Sequence, residues 1–295
     1  MDIVFVILHF KTFEDTIACI ESIRERIDSD NYSIIVVDNG SNNGSYEILS
    51  QKYKDSNDVI LIKNEMNMGF AKGLNIGIEY ANRNMSPAFV AAINNDTQIV
   101  SRNVVEVLYK KYEKYGFSLF GPMIITRDGS CSTNPIRNTL RSKQEVYEII
   151  NRYKKILIII KFRMFSVYSL LQKLKARTMA VKVIKYPMLV DCMNYKLHGS
   201  FLVFSQDYFK KFGGFDERTF IYGEEDILYL NIIKNGLKTL YSPEMVIYHK
   251  EDSSTTYAMP NTKRKMAFVC ENCIDSLEKY LGLLECYEKE NTDAT

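Results

Sequence analysis

The hydrophobic and polar positions of the first hundred residues alternate between two periods. Continuous apolar runs such as IVFVILHF (3–10) and YSIIVV (32–37) are typical of buried strands, whereas EDTIACIESIRERI (14–27) has apolar residues at helical spacing. The alternation continues with a predicted helix at 43–55, a strand at 59–64, a helix at 73–84 and a strand at 88–96. Apolar strands separated by helices indicate a parallel sheet that is covered on both faces.

Polar side chains follow three of these strands, where ligands bind in parallel sheets. The residues concerned are Asp38 and Asn39, then Asn64 and Asn67, then Asn94, Asn95 and Asp96. No phosphate-loop signature accompanies them, and Gly69, Gly73 and Gly77 are spaced by four rather than as G-x-G-x-x-G. This spacing disfavours a dinucleotide-binding dehydrogenase and puts Gly73 and Gly77 on one helix face, where they allow close packing.

The pattern changes from residue 142 to 186. The stretch NRYKKILIIIKFRMFSVYSLLQKLKARTMAVKVIKY (151–186) interleaves Lys and Arg with apolar and aromatic residues and contains no acidic residue. Such a segment is typical of helices that lie on an anionic membrane surface, and a packed helix pair with a basic outer face is the alternative. Globular patterning resumes near residue 190, and a C-terminal helix is predicted at 262–289, followed by a disordered tail.

Composition limits the classes of protein that fit. A chain of 295 residues with 46% hydrophobic residues suits one domain with additions, and a net charge of +2 predicts no affinity for nucleic acid. Six scattered cysteines suit a reducing compartment, and Cys270 and Cys273 are interpreted as one face of a helix rather than a metal or redox site. The start has no basic signal-peptide region, and no apolar run approaches the roughly 20 residues that span a bilayer.

Two sets of residues that follow apolar runs are candidates for chemistry. Asn94, Asn95 and Asp96 offer oxygen ligands that a hard cation such as Mg²⁺ or Mn²⁺ prefers, although turns use the same residues. His249 follows another apolar run, and Lys250 and the hydroxyl residues at 253–255 beside it suit contacts to phosphate oxygens. A structural hydrogen bond is the more common role of a lone histidine.

The third candidate is the acidic trio of FIYGEEDILYL (220–230). Glu224, Glu225 and Asp226 occupy the predicted start of a helix, where negative charge is favourable by roughly 0.3–1 kcal/mol. That effect accounts for one carboxylate more easily than for three. The aromatic and glycine-rich residues before the trio indicate a cleft, so at least one carboxylate is expected to have a chemical role.

Five motifs together resemble a known family. VVDNGSNNGS, NMGFAKGLNIGI, INNDT, GSFLVFSQDYFKKFGGFDERTFIYGEED and a His followed by two Ser occur in the order seen in inverting GT-A-fold nucleotide-sugar glycosyltransferases. The resemblance is to the bacterial rhamnosyltransferase-like branch of family 2 and covers most of 1–130 and 190–256. It implies an α/β GT-A fold, a Rossmann-like mostly parallel sheet flanked by helices, with a basic helical insertion and a C-terminal helix.

The resemblance also implies residue roles. Asp38 would contact the nucleoside, and Asn67, Gly69 and Gly73 would line the pocket for base and diphosphate. Asn94, Asn95 and Asp96 match the D-x-D element, so Asp96 would bind Mg²⁺ or Mn²⁺, with His249 assisting. A carboxylate of the trio would take the proton of the acceptor hydroxyl, and Glu224 would cap the helix or hold the acceptor.

Three departures from the family pattern affect these roles. Asn94 replaces the first Asp of D-x-D, which weakens the metal site or shifts it towards His249. The first strand ends in LHFK where the family usually has Tyr-Asn. Gapless alignment makes Glu225 the base, whereas residue type favours Asp226, so both remain candidates with Glu225 preferred.

The expected organisation is a glycosyltransferase domain at 1–256, with a nucleotide-sugar half at 1–130, the basic insertion at 142–186 and an acceptor half at 190–256. A helix and tail follow at 257–295. The expected enzyme moves a sugar to a saccharide, lipid-linked in the favoured case, for surface-polysaccharide synthesis. It would work in the cytoplasm, peripherally on the inner membrane face. A sugar-phosphate nucleotidyltransferase and a catalytically silent membrane-surface binding protein are the alternatives.

Overall fold

The computed structural model describes residues 1–162, 164, 165, 187–251, 257–259 and 261–293. Of the basic insertion expected at 142–186, the helix that begins it is therefore available, whereas residues 166–186 lie outside the described residues. The hydroxyl residues at 253–255, which were expected to suit phosphate, lie outside them as well.

The first half of the chain forms the parallel part of the sheet. Its strands are β1 (Ile3–His9), β2 (Tyr32–Asp38), β3 (Val59–Lys63) and β4 (Phe89–Asn94), and they lie in the order β3-β2-β1-β4. The helices α1 (Phe13–Arg26), α2 (Ser45–Tyr53) and α3 (Phe70–Asn84) connect them. In register, His9 lies opposite Asp38 and Leu8 opposite Asn94, so the polar strand ends meet at one edge.

Burial of both sheet faces explains the continuous apolar strands. In β1, Ile3, Phe5 and Ile7 belong to the core cluster shared with α1, and Val4 and Val6 belong to the cluster shared with α3. Such alternation of side chains is what a strand with a period of two produces.

Glycine lets α3 approach the sheet. A Cβ atom added at Gly77 would overlap Val6 and come within 3.0 Å of Val37 Cγ2. One added at Gly73 would lie 2.5 Å from Leu8 Cδ1. Contacts this short are not tolerated, so the packing role predicted for both glycines is confirmed.

The second half extends the sheet with mixed pairing. It contains β5 (Thr97–Ile99), α4 (Val104–Tyr115), β6 (Leu119–Thr126), α5 (Lys143–Lys161), β7 (Cys192–Met193), β8 (Phe201–Ser205), α6 (Gln206–Phe209), α7 (Glu224–Lys234), β9 (Thr239–His249) and α8 (Thr262–Asp293). The full order is β3-β2-β1-β4-β8-β6-β9-β5, with β7 paired to β9.

Most of the paired residues are in parallel ladders, as expected, and the second half adds antiparallel pairing that was not predicted. The strand β8 runs antiparallel to both β4 and β6, while β6 and β9 are again parallel. Because β8 runs against β4, the residues that lead into β8 lie where β4 ends, and Asn94 N–H donates to Ser200 O at 2.9 Å. The α/β architecture with helices on both faces is as predicted.

The helices α5, α7 and α8 pack together beside the sheet. Their shared apolar cluster contains Val146 and Ile150 of α5, Ile227 and Leu230 of α7, and Leu277, Tyr280 and Leu284 of α8. A capping box of Ser142 and Glu145 starts α5. Among the described residues, no helix is both long and apolar enough to cross a bilayer.

The tail predicted from residue 290 is wrong in part, because α8 continues to Asp293. Ion pairs fasten this end of the helix: Lys234 Nζ lies 2.5 Å from Glu290 Oε2, and Lys143 Nζ lies 2.5 Å from Glu288 Oε2. Sequence periodicity does not reveal such contacts with other elements. Cys270 and Cys273 lie in α8, with Cys270 buried, as the helix-face interpretation predicted.

Candidate functional site

A cavity of about 800 Å³ opens at the polar edge of the sheet. Its wall combines residues of the two sequence halves, which are Asn39, Asn67, Gly69, Asn94, Asn95 and Asp96 from the first and His198, Gly199, Ser200, Glu224, Glu225 and His249 from the second. The antiparallel insertion of β8 beside β4 is what brings the two sets together. Asp38, Gly73 and Asp226 are the three expected site residues that do not line this cavity.

Asp38 ends β2 beneath the cavity floor. Its Oδ1 accepts a hydrogen bond from Ser41 Oγ, and its buried Oδ2 has no partner among the described residues. Burial raises the pKa of the Asp38 carboxyl. His9 Nε2 lies 3.7 Å from Asp38, but burial lowers the pKa of His9 to about 4, so this contact joins a neutral ring to the carboxyl.

Asn39, next to Asp38, reaches the cavity instead. Its Nδ2 donates to Asn67 Oδ1 at 3.0 Å and to Gly69 O at 2.9 Å, and its Oδ1 accepts from Met68 N at 3.0 Å. One side chain therefore fixes the loop that leads into α3. Its place after a buried strand was noted in the sequence, but no role was assigned to it.

Gly69 is required by a close approach of two segments. Its φ of +87° lies in the region that favours glycine, and a Cβ atom there would overlap Phe220 O. Phe70 N–H donates to the same carbonyl at 2.7 Å. Gly69 thus lets the loop before α7 lie against the start of α3, whereas Gly73 is covered by Leu8 and Asn39.

Asn94, Asn95 and Asp96 have three different environments. Asn94 is half-buried on the cavity wall, and Asn95 is buried, with its Nδ2 donating to Thr12 Oγ1 at 2.9 Å and Thr16 Oγ1 at 3.0 Å. Asp96 Oδ1 lies 3.2 Å from His249 Nε2. Pairing of β5 with β9 produces this contact, because it sets Thr97 opposite His249.

The Asp96–His249 pair fits a shared cation rather than a complete metal cage. No group of three His, Cys, Asp or Glu in the described part of the chain is placed to hold a metal ion. A carboxylate and an imidazole are ligands that Mn²⁺ accepts, and phosphate oxygens of a bound ligand can complete such a set. The buried Nδ1 of His249 has no partner among the described residues.

The acidic trio forms the first turn of α7. Glu224 is buried and accepts a hydrogen bond from Thr219 Oγ1 at 3.1 Å. Burial, followed by the charge of Glu225, raises the pKa of Glu224 to about 8. Glu225 lines the cavity, and its Oε1 accepts the N–H of Gly199 at 3.2 Å. A Cβ atom at Gly199 would come within 2.8 Å of that oxygen.

Asp226 is neutralised by two cations. Its Oδ1 accepts from Lys196 Nζ at 2.5 Å and from Arg141 Nε at 3.1 Å, and the Asp226–Lys196 pair is buried. Of the two candidate bases, Glu225 is therefore favoured over Asp226, because Glu225 faces the cavity whereas Asp226 faces its salt bridges. Among the described residues, Glu225 has no cation within ion-pair distance.

His198 is the cavity residue that sequence reasoning missed. Its ring packs edge-on against His249 with centroids 5.6 Å apart. Burial lowers the pKa of His198 despite the nearby carboxylates of Glu225 and Asp96. No local pattern singles it out, because the contact of the next residue, Gly199, with Glu225 is a tertiary one.

Aromatic side chains close the other side of the cavity. Phe220 of the loop before α7 and Phe268 of α8 meet edge-on with centroids 6.5 Å apart, and both line the cavity. Ser276 of α8 lies 3.5 Å from Ile221 O, which holds the helix against this loop. The C-terminal helix is thus part of the site and not an appendage.

Comparisons with known proteins identify the fold and the family of the chain. The chain is 24% identical over 224 residues to the low-salt glycan biosynthesis hexosyltransferase of Haloferax volcanii, a match that covers 76% of this chain and 59% of that relative. The fold is similar to GalNAc-T7 solved with UDP, GalNAc and Mn²⁺, with a TM-score of 0.57 and 15% identity over 86% of this chain and 45% of that one.

A second structure, of S. aureus TarS 1–349 in complex with UDP-GlcNAc, has a TM-score of 0.54 and 12% identity, and the match covers 86% of this chain and 59% of that one. At these identities the structures show the fold alone, which is GT-A. The family model described as Glycosyl transferase family 2 matches residues 4–172, more than half of the chain. This protein therefore belongs to glycosyl transferase family 2.

Proposed function

We propose that this glycosyltransferase moves a hexose from a nucleoside diphosphate to a saccharide hydroxyl with inversion at the anomeric carbon. The observation that carries the proposal is Glu225, a carboxylate that has no cation within ion-pair distance in the described part of the chain and faces the same cavity as Asp96 and His249. A base on one side of a cavity and a diphosphate site on the other are what a single displacement needs.

The reaction follows from these positions. The acceptor oxygen forms a bond to the anomeric carbon while the bond from that carbon to the diphosphate oxygen breaks. Glu225 receives the hydroxyl proton, and the nucleoside diphosphate leaves with the electron pair. Asp226 is not the base in this proposal, because Lys196 and Arg141 occupy its oxygens.

Donor binding is assigned to the Asn39 side of the cavity. Asn39, Asn67 and Gly69 line this side of the cavity, which supports assigning the nucleoside and diphosphate to it. Asp38 is set back from the cavity and braces the turn through Ser41, and Asn39 shapes the loop that carries Asn67 and Gly69. Asn94 and Asn95 lie on the same wall, and relatives of the same fold bind UDP and UDP-GlcNAc, which favours a UDP-sugar donor.

Mg²⁺ or Mn²⁺ is the proposed cofactor, held by Asp96 and His249 together with donor phosphates. When bound, such an ion neutralises negative charge on the departing diphosphate. Asn94 in place of a second carboxylate is consistent with a loosely held ion that binds together with the donor. The raised pKa of Glu224, about 8, and its place in the cavity wall support its assignment as the group that holds an acceptor hydroxyl.

The proposed acceptor is a lipid-linked saccharide at the inner membrane face, used in surface-polysaccharide synthesis. The described helix α5 supports membrane docking, because Lys155 and Lys161 are exposed beside Ile158 and Phe162, which are 53% and 69% exposed. Basic residues attract anionic lipids, and the apolar side chains can enter the interface. Flotation with anionic liposomes, with Lys155 and Lys161 changed to Gln as the comparison, tests this part separately.

The two alternative functions predict different results. A nucleotidyltransferase has no use for the base Glu225 beside an aromatic cavity, and the family match disfavours it. A silent membrane-surface protein would bind liposomes but no nucleotide.

Calorimetry of UDP, dTDP and GDP, each with and without Mn²⁺, tests the proposal on the wild type and on Asp96→Ala. Metal-dependent binding of one nucleotide that Asp96→Ala abolishes is the expected result. No nucleotide binding under any condition would contradict the proposal and favour the silent protein.

A further inference from the structure

The segment of His198 and Gly199 joins the two chemical ends of the cavity. The His198 ring contacts the His249 ring, with centroids 5.6 Å apart, and His249 lies 3.2 Å from Asp96. The next N–H along the chain, that of Gly199, donates to Glu225 Oε1 at 3.2 Å. Two consecutive residues therefore span from the diphosphate end to the base.

In-line displacement determines what lies against this segment. The inference rests on the proposed function, in which the acceptor oxygen is at Glu225 and the diphosphate is at Asp96 and His249. The anomeric carbon must then lie between these two ends, with the attacking and leaving oxygens on opposite sides. The ring of the transferred sugar thus lies against His198.

Hydrogen bonds around His198 determine which ring nitrogen can donate. Nδ1 accepts the backbone N–H of Ser200 at 3.2 Å and lies 3.0 Å from Ser200 Oγ. A nitrogen that accepts a backbone N–H carries no proton itself, so the proton of the neutral ring is on Nε2. Nε2 has no hydrogen-bond partner among the described residues, and His198 lines the cavity.

The main chain holds this ring in place. His198 N–H donates to Oδ1 of the buried Asn134 at 3.0 Å, and Asn134 Nδ2 donates to Pro122 O of β6 at 2.8 Å. The donor nitrogen is therefore positioned before a sugar arrives, which is what a selective contact requires.

We propose that His198 Nε2–H donates a hydrogen bond to one hydroxyl oxygen of the transferred sugar and so selects the donor hexose. A site built around a substrate hydroxyl rejects an analogue that lacks it, because the donor of the protein is then left without a partner. His198 is thereby a specificity-determining residue, separate from the base and from the proposed metal ligands.

Deoxy sugars test the proposal directly. A panel of UDP-, dTDP- and GDP-hexoses identifies the best donor of the wild type by release of nucleoside diphosphate. Single-deoxy analogues of that donor are then compared on wild type, His198→Phe and His198→Gln. Tyr229→Phe is the matched control, because it removes a hydroxyl that donates to Asn194 O away from the cavity.

The wild type is expected to reject one deoxy analogue by about 10- to 100-fold in kcat/KM. His198→Phe should treat that analogue and its parent alike, and His198→Gln, whose amide can still donate, should recover part of the discrimination. Affinity for free nucleoside diphosphate should be unchanged, and Tyr229→Phe should discriminate as the wild type does.

Two results would overturn the proposal. The first is that His198→Phe still rejects every deoxy analogue as the wild type does. The second is that His198→Phe loses affinity for the nucleoside diphosphate tenfold, which would assign the ring to the diphosphate. A wild type that neither binds a nucleotide nor consumes a donor would refute the proposed function before any variant is compared. Should His198→Phe fail to fold, His198→Leu, whose side chain cannot donate a hydrogen bond either, replaces it in the same comparison.

Discussion

Three adjacent carboxylates in this protein have three separate environments. Glu224 is buried against a threonine hydroxyl, Glu225 faces the cavity, and Asp226 is held by Lys196 and Arg141. The helix separates them, because each residue is turned by about 100° from the one before. The repulsion expected between three adjacent carboxylates is thus relieved by the helix geometry. Cations neutralise the charge of Asp226, and protonation neutralises that of Glu224.

The first prediction compares the neighbours Glu225 and Asp226. Glu225→Gln removes the proton acceptor and should lower kcat by about 10²- to 10⁴-fold, with little change in thermal stability. Asp226→Asn leaves the buried Lys196 without its counter-charge and should cost about 3 kcal/mol of unfolding free energy. Steady-state kinetics and urea unfolding of both variants check this, and a larger loss of kcat in folded Asp226→Asn would reverse the assignment.

The second prediction concerns the pH dependence that Glu224 confers on stability. Its pKa is about 8 in the folded protein and 4.5 as a free side chain, so the unfolded chain loses this proton first. The free energy of unfolding should therefore fall as pH rises from about 4.5 to 8, by up to roughly 1.4 kcal/mol per pH unit. Glu224→Gln should flatten this slope in urea titrations between pH 5.5 and 7.5, whereas Glu271→Gln on the exposed face of α8 should leave it as in the wild type.

At the scale of elements, the sequence predicted strands and helices better than their pairing. The strands β1 to β4 begin and end within a residue or two of their predicted limits. Burial on both faces requires a continuous run of apolar residues, which is visible in the sequence. The run of β8 is equally apolar, and its periodicity does not tell whether it runs parallel or antiparallel to β4. His198 was missed for this reason, since only the antiparallel pairing brings it to the end of β4.

The same limit applies to the carboxylates. Sequence spacing placed the trio at a helix start, which the structure confirms, but it left the choice between Glu225 and Asp226 open. The cations that separate the two come from residues 30 and 85 positions away in the chain. Such contacts depend on tertiary packing and have no local signal.

The third prediction compares two helical glycines. Gly77→Ala in α3 should cost about 1–3 kcal/mol, because its Cβ would overlap Val6 of the sheet. Gly282→Ala in α8 meets no atom within 4 Å and should stabilise the protein by about 0.5–1 kcal/mol through helix propensity. Thermal unfolding of both variants separates packing from propensity, and stabilisation by Gly77→Ala would contradict close packing of α3.

At the scale of the whole molecule, the C-terminal helix completes the wall of the cavity. It carries the cavity residue Phe268, and its Tyr280 hydroxyl donates at 3.2 Å to the backbone oxygen of Arg141, whose side chain pairs with Asp226. The apolar cluster of α5, α7 and α8 also contains Ile227, which directly follows the acidic trio. Residues far apart in sequence therefore fix the first turn of α7 from two sides.

This packing predicts that α8 unfolds together with the sheet. Leu277 is buried in the cluster, so Leu277→Ala should cost about 2–5 kcal/mol, while Glu285→Ala, next to the cluster but outside it, should cost little. Because one cooperative unit has one transition, far-UV circular dichroism and tyrosine fluorescence should give the same midpoint in both variants. An early transition of Leu277→Ala that is seen only in the far-UV circular dichroism would show that α8 unfolds separately. Glu225 would then be held in position by the sheet and Gly199 alone.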